Sequence, residues 1–154
     1  MEPREAVDAV IADLRDHPIT GDGSGLFTAT WHIGLLCHLA ARMAADAEYQ
    51  LAPNIADLPP AEALGHTTGH LGRAIAHYTQ ALSPLVTLSR PGAQGTLQKQ
   101  LDAIDQHGRL RVHLDDAGLA LAAARVCLGV PSRPATPSTT ASVSVPAPTV
   151  LRRS

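Results

Sequence analysis

Residues 64–82 carry apolar side chains at helical spacing, and that pattern constrains the chain more than any other, because it reads as one α-helix with three separate faces. Leu64, Leu71, Ile75 and Leu82 form a face to be buried. His66, His70, Arg73 and His77 form a polar one. Gly65, Gly69, Gly72 and Ala76 make a third stripe with nothing larger than a methyl group. A glycine inside a helix costs about 1 kcal/mol relative to alanine, so this stripe predicts a helix-packing interface where another backbone comes close. The partner helix belongs either to the same chain or to a second copy, and a mirrored contact of this kind suits a twofold homodimer.

Three further segments share the helical period. Pro3 stands where a helix start tolerates proline, and Val7, Val10, Ile11 and Leu14 follow it up to His17-Pro18. The glycine-rich stretch 19–25 reads as a flexible turn. It lacks the lysine followed by Ser or Thr of a phosphate-binding loop, so no nucleotide site is expected there. Residues 26–50 are the most hydrophobic segment and are expected to form the central helix. His32, His38, Arg42 and Asp46 interrupt it, too often for a span of roughly 20 apolar residues across a bilayer. Arg42 and Asp46 stand four apart and predict an ion pair.

Prolines 53, 59 and 60 separate this helix from the next, which is expected over about 60–89, ending or kinking at Pro84. In the last segment, Leu97, Leu101, Ile104, Val112, Leu119, Ala122 and Val126 mark the expected buried seam. Ala103, Leu110, Leu114, Leu121 and Leu128 widen it. The segment is either one rod of roughly 50 Å or a helix divided at Gly108, Gly118 or the Asp115-Asp116 pair. Asp115 falls near the seam, with Arg111 one turn away as its expected partner.

The fold expected is therefore all-α, a four-helix bundle, mostly antiparallel, over residues 1–130. Residues 131–154 contain proline, serine, threonine and alanine with little to bury, and are expected to form a disordered tail.

Charge and composition exclude several functions. A net charge of −2 supplies no basic field for nucleic acid or an anionic membrane, and 3% aromatic content supplies no stacking surface for single strands. Neither partner is expected. The N-terminus carries acids where an export signal carries a basic region, which points to the cytoplasm. Cys37 and Cys127 lie far apart in apolar surroundings and are expected to be free, buried thiols.

His66 and His70, at i and i+4, are the candidate metal ligands, since two imidazoles so spaced can present nitrogens to one ion. His77 lies about 10 Å farther along the axis and cannot join them on a straight helix. A complete site needs a third ligand from another helix, His32 or His38 first, with His107, His113, Asp102 and Asp105 also available.

The segment GHTTGHLGRAIAHY, in an alanine-rich chain whose only lysine is Lys99, resembles small uncharacterised helical proteins of actinobacteria. That resemblance implies no activity. The histidines also resemble those of DinB-like metal-binding bundles, with His66 and His70 matching the paired ligands and His32 or His38 the earlier one. Those bundles carry the pair near the end of the domain, whereas here it sits on the third helix.

Two readings follow. The favoured one is a non-enzymatic helical bundle acting through protein contacts or self-association, with no catalytic residue and no cofactor. The other is an enzyme or sensor holding a divalent transition metal at His66 and His70.

Overall fold

A computed structural model describes residues 1–51, 59–92 and 95–129. Four helices account for most of them: α1 Pro3–Asp16, α2 Gly23–Gln50, α3 Ala61–Ser89 and α4 Leu97–Gly129, with no strand among the described residues. The all-α, four-helix architecture expected from the periodicity is present. Residues 130–154, read above as a tail, lie outside the described residues.

The helix starts follow local chemistry. Asp22 caps α2, its carboxylate accepting from the Gly25 backbone N–H at 2.9 Å and from the Thr20 hydroxyl at 2.7 Å. The Thr20 hydroxyl, then the Gly25 amide, hold the Asp22 carboxyl below its usual range. The glycine-rich stretch is thus only partly a turn, since Gly23 and Gly25 already belong to α2. Gly25 is buried, and a Cβ built there would stand 1.5 Å from the Thr20 carbonyl oxygen, so no other residue fits. At the other end of the chain α4 runs unbroken through Gly108, Asp115-Asp116 and Gly118. Likewise α3 passes through Pro84, which is buried beside Leu85 and continues to Ser89.

The central helix is α3, flanked by α2 on one side and α4 on the other. This corrects the expectation that α2 is central. Hydrophobicity suggested α2, but its Phe27, Trp31, Cys37 and Ala44 face solvent. On α3, Leu64, Leu71, Ala74, Tyr78 and Leu85 turn inward with the bulk that fills the core. Thr67 lies opposite Ala124, and His77 opposite His113, so α3 and α4 are antiparallel.

Helix α1 packs on both α2 and α4 without reaching the whole length of either. Its start is tied to α2 by the Arg42 guanidinium donating to the Met1 carbonyl, and to α4 by an Asp8–Arg125 ion pair at 2.6 Å. Its end, Leu14 and Arg15, shares a hollow with Leu114, Gly118 and Leu121. At 14 residues, α1 spans about 21 Å against about 50 Å for the 33 residues of α4. Two core clusters result. The larger, beneath α1, draws Val7, Leu36, Met43, Leu64, Leu71 and Leu121 from all four helices. The smaller, beyond the end of α1, has only Ala29, Ala81, Leu85 and Leu110 buried.

The seam of α4 is the largest correction. Leu97, Leu101, Ile104, Val112, Leu119 and Val126 are between 52% and 74% exposed, and Ala122 is exposed too. The buried side is the opposite one, formed by Leu110, Ala117, Ala120, Leu121 and Ala124, so Leu110 and Leu121, read above as widening the seam, lie across the helix from it. Because α3 already supplies large side chains at this contact, the side of α4 that fits against it is the alanine-rich one.

Candidate interaction face and the histidines

The outer face of α4 is a continuous apolar stripe. At 100° per residue, positions 97, 101, 104, 108, 112, 115, 119, 122 and 126 fall within about 80° of one another, directly away from the core side. Only Gly108 and Asp115 interrupt its apolar side chains. Arg111 and Asp115, both exposed, do not form the expected ion pair. Arg109 pairs instead with Asp105 at 3.0 Å, while the Arg42–Asp46 pair expected on α2 is present at 3.9 Å.

The glycine stripe of α3 also faces outward. Gly65, Gly69, Gly72 and Ala76 are exposed, and a Cβ added at any of the three glycines meets nothing within 4 Å. The close packing expected of this stripe is absent within the chain, because α2 and α4 flank α3 from its other side.

The structure separates the histidines into unrelated settings. His66 is exposed, and His70 is half-buried with its Nδ1 accepting from the Arg73 guanidinium at 2.6 Å. Burial, then Arg73, then His66 lower the pKa of His70, so its ring tends to the neutral form. A cation approaching this pair meets the positive guanidinium already bound to the ring. Among the described residues, no three His, Cys, Asp or Glu side chains gather where they could hold a metal ion.

His32 and His38 do not complete that pair. His38 is exposed. His32 is 1% exposed and stands edge-on to Tyr78 at 5.7 Å, in a row that continues through Trp31 to His17. Tyr78 lies eight residues beyond His70 on α3, about 12 Å along the axis, which puts His32 a long way from the pair. Both ring nitrogens of His32 lack a hydrogen-bond partner. Burial lowers its pKa, with smaller opposing effects from Asp13, which raises it, and His17, which lowers it.

The sequence reading missed a pairing between helices. His77 of α3 and His113 of α4 have ring centroids 6.2 Å apart and planes tilted by 37°, and the Nδ1 atom of each is buried without a partner. The antiparallel register was the signal that would have found it, since it sets His77 beside His113 once Thr67 is set beside Ala124. Two imidazoles fall short of the three protein ligands that even an open zinc site uses. Cys127 is a half-buried free thiol, while Cys37 is exposed, contrary to expectation, because it lies on the solvent side of α2.

No helix among the described residues is long and apolar enough to cross a membrane. No protein-family model, curated protein or solved structure matches the chain.

Proposed function

We propose that this protein is a non-enzymatic helical bundle that acts through protein contacts, with the outer face of α4 as its contact surface. The observation that carries the reading is the stripe itself: six large aliphatic side chains, each more than half exposed, aligned along a single helix. Scattered exposed leucines are ordinary on protein surfaces, but an aligned stripe is the pattern by which amphipathic helices recognise one another. The fold does not need these side chains, since the core clusters contain none of them. The metal-dependent alternative draws no comparable support, because the guanidinium of Arg73 occupies the ring of His70 and no third ligand among the described residues joins it.

A photo-crosslinking residue at Leu119, compared in living cells with one at the exposed Ala44 of α2, tests the reading. A discrete covalent adduct from position 119, with none from position 44, is expected. Equal or absent adducts at both positions would sink it.

A further inference from the structure

We infer that the partner of this face is a second copy of the chain, paired antiparallel along α4 about a twofold axis between Arg111 and Val112. The inference rests on the reading of the stripe as a contact surface and adds its occupant and register. The argument begins with spacing. From the N-terminal side the stripe steps through 97, 101, 104 and 108, and from the C-terminal side through 126, 122, 119 and 115, the same intervals in reverse. Reversing one helix against another therefore lays stripe on stripe. Leu97 meets Val126 of the second copy, Leu101 meets Ala122, and Ile104 meets Leu119, so large residues oppose smaller or equal ones.

Charge selects the same direction. Asp115 and Arg111 form no ion pair within the chain, although Asp115 interrupts the apolar stripe. In the antiparallel register each Asp115 faces Gly108 of the second copy, where no side chain competes for space, and lies one turn from that copy's Arg111. A parallel arrangement would set Asp115 against Asp115 inside the apolar stripe, whereas the antiparallel register brings the two Arg111 residues to the axis with an Asp115 of the opposite copy one turn to either side. A strip about 50 Å long and about 10 Å wide gives about 500 Å² on each copy, or about 1,000 Å² in total, the lower end of what a specific interface buries. Such pairing is isologous and closes on itself, as homodimers do.

Sedimentation across a wide concentration series, on the full chain and on Ile104→Glu/Leu119→Glu, is the test. The wild type is expected to reach twice the chain's mass. The double variant is expected to remain a monomer with unchanged helical circular dichroism, since both side chains are exposed in the fold. For register, Leu101→Cys chains are mixed with Ala122→Cys chains in a Cys37→Ser/Cys127→Ser background. A 101–122 disulfide between copies is expected, whereas a dominant 101–101 disulfide would overturn the antiparallel arrangement. A wild type that stays monomeric overturns the second copy as occupant, and a Leu119 photo-adduct with a different protein would then leave the contact reading standing. A dimer that survives Ile104→Glu/Leu119→Glu likewise overturns the second copy as occupant of this face, and the contact reading itself then stands or falls on the Leu119 adduct.

Discussion

The two sides of α4 differ in a way that runs against simple expectation: the larger aliphatic residues point out and the smaller ones point in. Leu110, Ala117, Ala120, Leu121 and Ala124 meet α3 and the end of α1, whereas Leu97, Leu101, Ile104, Val112, Leu119 and Val126 meet solvent. The difference shows that complementarity to a neighbour, more than hydrophobicity, decides which apolar stripe is buried. Leu71, Tyr78 and Leu85 bring volume from α3, and alanine on α4 lets the two helices approach around it.

Truncation gives the sharpest contrast between the sides. Leu121→Ala opens a cavity in the core and is expected to cost about 2–5 kcal/mol. Leu119→Ala, two residues away, is expected to stay within about 0.5 kcal/mol in chain dilute enough to be monomeric. Urea denaturation of both variants measures the pair, and equal losses would mean the outer side is packed within the monomer.

His32 tests the interior of the other flanking helix. Its two unpartnered ring nitrogens make His32→Leu a stabilising change of about 1 kcal/mol at neutral pH. The sign of the pH effect follows from burial. With its folded pKa lowered from 6.5, the unfolded chain binds more protons than the folded one as pH falls below that value. Stability contributed by this site is therefore present above about pH 6.5, is lost on acidification toward the folded pKa, and levels off below it. Thermal melts between pH 5 and 8 are expected to show a flatter acid limb for His32→Leu than for wild type; parallel curves would contradict this.

The open stripe of α3 gives a gain of similar or smaller size. Gly69→Ala is expected to stabilise the isolated chain by about 0.5–1 kcal/mol, because the added methyl meets nothing and helix propensity improves. A loss on substitution would show that another backbone packs there. Arg125→Gln, which removes the α1–α4 ion pair with the half-exposed Asp8, is expected to cost only about 0.2–1 kcal/mol by thermal melt, and less at high salt.

Much of the fold was legible in the chain. Pro3 opens the first helix, proline-rich 53–60 separates the second from the third, and helical spacing marks all four helices. Local interactions were legible where both partners sat on one turn, as with Arg42–Asp46. Arg111–Asp115 had the same spacing and does not form, whereas the equally exposed Asp105–Arg109 pair does, with its acid N-terminal to the cation, the better of the two orders on a helix. The candidate site was less legible. His66 and His70 drew attention through their spacing, yet the nearest guanidinium on their own helix takes up His70, and the pairing that does cross between helices, His77 with His113, has no local signature.

By itself the sequence determined helix number, helix limits to within a few residues and the alignment of Leu97, Leu101, Ile104, Val112, Leu119 and Val126 along α4, because these depend on backbone chemistry and on a period of 3.6 residues. Only the tertiary structure decided which stripe is inside, which helix is central and which histidines meet. Those outcomes depend on how the volumes of separate helices fit together, and a one-dimensional pattern carries no record of the neighbour each face will find.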